Sequence, residues 1–435
     1  LSIPAASAMM VNGLYNVVDA IFIGRGVGEE ALGGLAIAFP IQMLIMSVAQ
    51  FVGIGAASAV SRNLGANNVE RADKVAGNAF SSLFIMSILF MIFGLLFVDQ
   101  LLYLFGSTDT IFPFAKEYIV VILMGSVFFS FAMMTNNLVR AEGNAKIAMI
   151  TIMLGAITNI LLDPLFIFVF NLGIKGAAMA TIISQFISFS FVMYYMYSGK
   201  SSLKIKFHHL KLELGIIKEI LSVGFSSFAR MSMNSVFAIV VNNSLRFFGG
   251  DAAIIIFGVV NRILAFLLLP IIGVVQGMQP IAGFNYGAKK IDRVKKVLKL
   301  SLISATAICT VGWIVGETIP HIIIGAFTDD AEIIKEAAFV FRVIMALVPL
   351  LGVQFVGATL FQAIGRARPA LFLSLLRQII LLIPLILILP RIFGFGLFGV
   401  WLAFPIADIL ASSIVAVILI REMRKPFWQQ QIDVA

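Results

Sequence analysis

The 435 residues carry 31 lysines and arginines against 22 aspartates and glutamates, a net charge of +9, yet only 12% are charged and 60% are hydrophobic. Soluble domains are about 45–50% apolar, so with a mean hydropathy of +1.04 water is excluded as the main solvent of this chain. The single cysteine, Cys309, excludes an intrachain disulfide.

Apolar runs of about 20 residues, each enough for a helix to cross about 30 Å of hydrocarbon, fall near 3–24, 35–61, 76–98, 113–139, 147–170, 174–197, 216–247, 254–282, 297–320, 334–362, 369–390 and 396–420. They predict an all-α polytopic membrane protein of twelve transmembrane helices in two pseudo-symmetric six-helix bundles. The first run is too long for a cleavable signal peptide, and a short cytoplasmic lead is expected ahead of Leu1.

In the first span Asn12, Asn16 and Asp19 are four and three apart, one polar stripe on an apolar helix. In the fifth, Asn159 and Asp163 share a face and Pro164 follows; in the sixth lies Thr181. With the N-terminus inside, Asp19, Asp163 and Thr181 all lie about 8–10 Å below the outer boundary at about 1.5 Å per residue. A charge in hydrocarbon costs roughly 2.5–3.5 kcal/mol, so two carboxylates at one depth predict a cation pocket, holding a proton or Na⁺. The bland alternative is a structural polar network tying these spans together. Pro164 lacks an N–H and would leave a helix carbonyl free beside the pair.

The polar stretch from Ser198 to Gly215, with His208, His209 and several lysines, predicts a cytoplasmic linker between an N-terminal bundle (1–197) and a C-terminal bundle (216–420), with a short amphipathic helix on the membrane surface. In the second half Asp408 lies mid-span at the level of Arg230 and Arg377. It is either a buried ion pair or a proton relay. The cytoplasmic tail, 421–435, carries Phe427 and Trp428, a pair suited to anchoring at the interface. His208, His209 and His321 make no metal-ligand spacing, there is no phosphate-binding loop and no catalytic triad; no enzyme, no cofactor and no protein-bound metal is expected, apart from Na⁺ at Asp19 and Asp163.

The second half repeats the first at an offset of 222. Residues 138–149 fall on 360–371 with Leu, Ala, Gly, Ala and Ala in common, Asn63-Leu-Gly-Ala falls on Asn285-Tyr-Gly-Ala, and Asn12 falls on Asn234. Parallel repeats of this kind form transporters with the substrate site between the halves. At the same offset Asp19 falls on Val241 and Asp163 on Leu385, so ion coupling is expected in the first half alone. With both ends inside, twenty-one lysines and arginines lie on inner connections and six on outer ones. That accounts for the positive charge without nucleic acid.

The run Gln276-Gly-Met-Gln-Pro-Ile-Ala-Gly-Phe-Asn-Tyr-Gly-Ala-Lys-Lys290, with Asp292-Arg293, the stretch from Asn12 to Gly24 and Arg140-Ala-Glu-Gly-Asn144, resembles the MATE family of multidrug and toxin extrusion proteins, within a superfamily that also holds lipid-linked-saccharide flippases. The resemblance covers essentially the whole chain. It implies a V-shaped pair of bundles exporting lipophilic or cationic drugs by H⁺- or Na⁺-coupled antiport with alternating access, as a monomer in the plasma (cell inner) membrane. It implies essential acids at Asp19 and Asp163 with Asn159 and Thr181, asparagines at Asn136 or Asn137, and a bending proline at Pro4. A substrate pathway is expected along Asn136, Asn137, Gln276 and Met278. A flippase for a lipid-linked saccharide or another amphiphile is the rival reading.

Overall fold

The computed structural model describes residues 2–327, 330–392 and 394–429; the side chains of Asn12, Asn16, Phe427 and Gln429 lie outside that description. Among the described residues the regular structure is helical. In the first half, α1 (Ser2–Gly26), α2 (Glu29–Gly65) and α3 (Val69–Leu96) are followed by the short α4 (Val98–Leu104), then α5 (Phe112–Ala141), α6 (Ala145–Pro164) and α7 (Gly173–Tyr197). In the second, α8 (Leu214–Gly287), α9 (Ile291–Thr318), the short α10 (Pro320–Gly325) and α11 (Ala331–Met345) lead to α12 (Leu351–Ala363), α13 (Ala367–Leu375), α14 (Ile383–Ile392), α15 (Gly396–Met423) and the four-residue α16 (Pro426–Gln429).

Among the described residues eleven helical stretches are long and apolar enough to cross a membrane. The longest, α8, is two spans, because Gly250 adopts φ 66°, ψ −159° and breaks it; only glycine takes such angles without strain. That yields twelve. Helices outrun the apolar runs where polar caps extend them: the Asn68 side chain accepts from Arg71 N (3.1 Å) at the start of α3, and Asn144 accepts from Ile147 N (3.2 Å) at the start of α6. Two spans carry π-helical turns, Leu165–Val169 directly after Pro164 and Leu376–Leu382 just before Pro384. Pro349 sits in a 3₁₀ turn, Val348–Leu350, that separates α11 from α12 within the tenth span. Pro4 lies near the described start of α1.

Apolar side chains collect into one large core between Val241 and Trp428 and two smaller ones between Ile23 and Ile220. The halves press together hardest at the end that carries the linker. There Gly55 faces the carbonyl of Ile220 and Gly224 the carbonyl of Phe51, each so close that a Cβ would collide. Ser58 Oγ donates to the carbonyl oxygens of Gln362 and Ala363, and Arg62 and Arg71 both pair with Glu219, at 2.7 and 3.0 Å. The halves are thus joined at the linker end.

Two sequence expectations are corrected here. The linker is no amphipathic helix: apart from one 3₁₀ turn, Phe207–Leu210, it is irregular and strapped onto the first half. Asn78, fully buried on α3, donates to the carbonyls of His209 (3.3 Å) and Lys211 (3.1 Å) and accepts from Glu213 N (2.7 Å). Ser81 Oγ donates to Leu210 O, Asp73 accepts from Lys204 N, and Glu142 accepts from Ser201 Oγ and Ser202 N. Short polar side chains on α3 offer these bonds where a helix would satisfy itself internally. Trp428 is no interfacial anchor either. It is 0% exposed, its Nε1–H donates to Glu422 (3.0 Å), and its ring faces Tyr286.

Candidate functional site

Three helices of the first half bring the acidic residues together. Asp19 on α1 and Asp163 on α6 are both buried, and their carboxyl groups lie within each other's electrostatic field. Asn159, one turn before Asp163, donates from Nδ2 to Asp163 Oδ1 (3.2 Å) and to Thr181 Oγ1 of α7 (3.4 Å). The helical spacing of four explains the first contact, and the equal depth of α6 and α7 the second. Pro164 follows Asp163 and opens the π-helical turn.

Oxygen atoms without partners define the chemistry. Asp19 Oδ1, Asp163 Oδ2 and Asn159 Oδ1 are buried and make no hydrogen bond. Among the described residues, no lysine, arginine or histidine pairs with either carboxylate. Two buried carboxylates side by side, with spare oxygens and no counter-charge, form a donor set for a hard cation or a shared proton. Tyr15 and Tyr118 flank them: Tyr15 lies within the field of both carboxylates, and Tyr118 accepts from Gln42 Nε2 of α2 (3.0 Å) beside Thr181. The sequence held a signal for Tyr15, four residues before Asp19 on the same stripe. It held none for Gln42 or Tyr118, which reach the site through tertiary packing.

The second half solves its buried acid differently. Asp408 on α15 is 0% exposed and pairs with Arg377 Nε at 2.5 Å. Arg377 belongs to the π-helical turn before α14. Gln354 Nε2 donates to the Asp408 carbonyl (3.3 Å) and to Ser412 Oγ (2.9 Å). Arg230, expected as a further partner, does not reach ion-pair distance; the observed pair is supplied by α13–α14 and not by α8.

The expected substrate pathway divides. Asn137 and Gln276 face each other across the seam through Arg140, whose Nη1 donates to Gln276 Oε1 (3.0 Å) and whose Nη2 donates to Asn137 Oδ1. Asn136 instead donates to Ala148 O of α6 (2.7 Å), and Met278 is buried in the second-half core. Successive residues of a helix point about 100° apart, so Asn136 cannot share the direction of Asn137, nor Met278 that of Gln276. Neither Asn136 nor Met278 lines the seam.

Glu70 also joins His208 and His209, a grouping that spacing along the chain did not reveal. His209 Nδ1 accepts from Lys206 N (3.1 Å), which places the ring proton on Nε2, 3.2 Å from Glu70. That tautomer donates to the carboxylate and completes the linker strap.

A family model described as MatE matches residues 4–165 and again 224–388, reproducing the internal repeat. The chain is 27% identical over 423 residues to the multidrug export protein MepA of Staphylococcus aureus (strain N315), covering 97% of this chain and 93% of the relative. Among solved structures it is similar to the MATE multidrug transporter DinF-BH, with a TM-score of 0.91 at 42% identity over 99% of this chain and 96% of that one. It is also similar to an outward-facing multidrug resistance MATE family transporter of the MOP superfamily, with a TM-score of 0.92 at 27% identity over 98% and 95% of the two chains. Twelve helical spans, a duplicated sequence and a family model matched twice lead to one conclusion: this chain is a member of the MATE family of membrane transporters.

Proposed function

We propose that the chain is a secondary active multidrug exporter, driven by H⁺ or Na⁺ entering the pocket of Asp19 and Asp163. One observation carries the reading: these two buried carboxylates lack a counter-cation, whereas Asp408 has one in Arg377. An acid already neutralised by a guanidinium gains little from a second cation; an uncompensated pair gains much. The multidrug export named for the staphylococcal relative and the multidrug transport named for DinF-BH support lipophilic or cationic drugs as the cargo class. Arg377, which would favour a flippase for anionic amphiphiles, is already engaged by Asp408.

In this reading residues 1–197 and 216–420 move as two lobes. The closed linker end faces the cytoplasm, and the cleft opens outward. A cation arriving from outside binds between Asp19 and Asp163, α1 and α6 rearrange around the neutralised pair, and drug leaves. The ion departs on the cytoplasmic side when the floor opens. No group on the chain needs to react covalently, and no bound cofactor is required.

The test is drug efflux from inverted vesicles with a proton gradient and a sodium gradient imposed separately. Asp19→Asn and Asp163→Asn are expected to abolish ion-driven efflux while leaving drug binding within about threefold of wild type. Full gradient-driven efflux by either variant would refute the reading.

A further inference from the structure

Among the described residues Gln42 is the one side chain of α2 that hydrogen-bonds a neighbour of the two carboxylates. Its Nε2 donates to the Tyr118 hydroxyl at 3.0 Å. Tyr118, on α5, is 2% exposed and stands beside Thr181 in the field of Asp19. Thr181 in turn accepts from Asn159, which also donates to Asp163. A tyrosine hydroxyl has a proton of its own to give, and the pocket holds three buried oxygens without a donor, on Asp19, Asp163 and Asn159. A cation settling on those oxygens changes what the hydroxyl faces.

The same helix joins the halves at its other end. About 20 residues beyond Gln42, or about 30 Å at about 1.5 Å per residue, Arg62 pairs with Glu219 of α8 at 2.7 Å, and Ser58 donates to the Ala363 carbonyl at 3.2 Å. No proline interrupts α2 along that length; its single proline, Pro40, lies just before Gln42. Proline lacks the N–H that would hold the preceding turn, so α2 can change its tilt there and run on as one rod to the joint. Part-way along, Gln50 Oε1 accepts from Asn137 Nδ2 of α5 (2.9 Å), and Asn137 accepts from Arg140, which donates to Gln276 of α8. Polar ties between α2 and α5 thus exist both at the pocket and at the seam.

Sites 20–40 Å apart are coupled through stiff elements and the bonds that tie them together. We infer that Gln42 is the positioning residue through which cation occupancy of the pocket acts on α2, and through α2 on the joint between the halves. The inference rests on the cation reading of Asp19 and Asp163. A bound cation gathers the unpartnered oxygens around itself, Tyr118 shifts with them, and the pull on Gln42 falls on the turn where α2 is least restrained. The contacts of Ser58 and Arg62 at the far end then loosen. Leucine at position 42 leaves the pocket its ligands and cuts the tie.

The experiment places spin labels at the exposed Lys211 and Lys289 of the full chain in nanodiscs, in a Cys309→Ala background, and follows their separation as Na⁺ is added or the pH lowered. The distance is expected to lengthen in the wild type and to stay fixed in Asp163→Asn. In Gln42→Leu the shift should be at least about fivefold smaller, while binding of radioactive sodium or uptake of protons stays within about tenfold of wild type. Tyr118→Phe, which keeps the ring, should match Gln42→Leu, and the double variant should be no weaker than either alone, a non-additivity that general loss of packing does not produce. Should Gln42→Leu fail to fold, Tyr118→Phe carries the comparison. A full shift in both single variants, additive effects, or loss of ion binding as complete as in Asp163→Asn would overturn this inference alone. No shift in the wild type would overturn the cation reading and the inference with it.

Discussion

Gly65 and Gly287 are equivalent positions of the two repeats and pack as a pseudo-two-fold pair. A Cβ on Gly65 would lie 1.9 Å from the carbonyl oxygen of Phe284, and one on Gly287 would lie 1.9 Å from that of Arg62. Phe284 and Arg62 are also separated by the repeat offset. The symmetry relating the halves therefore passes through this contact, where the end of α2 meets the end of α8.

Alanine at either position forces the two helices apart. Overpacking of this kind costs about 1–3 kcal/mol, about 5- to 150-fold in the ratio of closed to open floor. Spin labels at the exposed Lys211 and Lys289, in a Cys309→Ala background, should report a smaller closed population for Gly65→Ala and Gly287→Ala alike. Effects differing by more than about tenfold would contradict their equivalence.

Asn78 holds the linker with three hydrogen bonds and is 0% exposed. Asn78→Ala leaves the carbonyls of His209 and Lys211 without this donor and is expected to cost about 1–3 kcal/mol. Hydrogen exchange should accelerate at the amides of residues 204–213 and remain unchanged in α5 and α12. Uniform acceleration would mean that the strap is not a local unit.

Asp408→Asn strands Arg377 and should lower stability by about 3 kcal/mol, the lower end of the range for a broken buried pair, because Arg377 is 31% exposed. Asp408→Leu combined with Arg377→Met removes both charges and should restore the unfolding midpoint to near wild type. Efflux driven by the cation gradient should survive in the double variant. Its loss there, with the midpoint restored, would give Asp408 a part in coupling.

Trp428→Ala removes a side chain buried against Glu422 and Tyr286, a truncation that costs about 3–5 kcal/mol in packed interiors. The expected result is undocking of the tail, read as faster trypsin cleavage after Arg424. Membrane association should not change, since the spans carry it. Unchanged cleavage would show that the ring contributes nothing to docking.

Much of this architecture is legible in the residues alone. Hydrophobic length gave the spans, the 222-residue offset gave the duplicated halves, and depth along α1, α6 and α7 brought Asp19, Asp163 and Thr181 to one level. What the sequence hides is direction. On a helix apolar nearly all round, periodicity does not say which face meets a neighbour, so Asn136 and Asn137 looked interchangeable although one bonds α6 and the other faces the seam. The same blindness conceals Gln42 with Tyr118, the pairing of Asp408 with Arg377 and not Arg230, and the folding back of Trp428. The linker reads as an amphipathic surface helix because its partners on α3 are invisible along the chain.

Because residues 201–213 are bonded to α3 and α5–α6, the covalent bridge between the halves is far shorter than its count of residues. Just beyond the strap Leu214 is exposed, and Gly215 has nothing within 4 Å of where a Cβ would stand. The chain thus passes from the strap straight into the first turn of α8, whose Ile216 and Ile220 pack into the first-half core. In the proposed transport cycle, rotation about that junction would spread the far end while leaving the backbone beside it almost stationary.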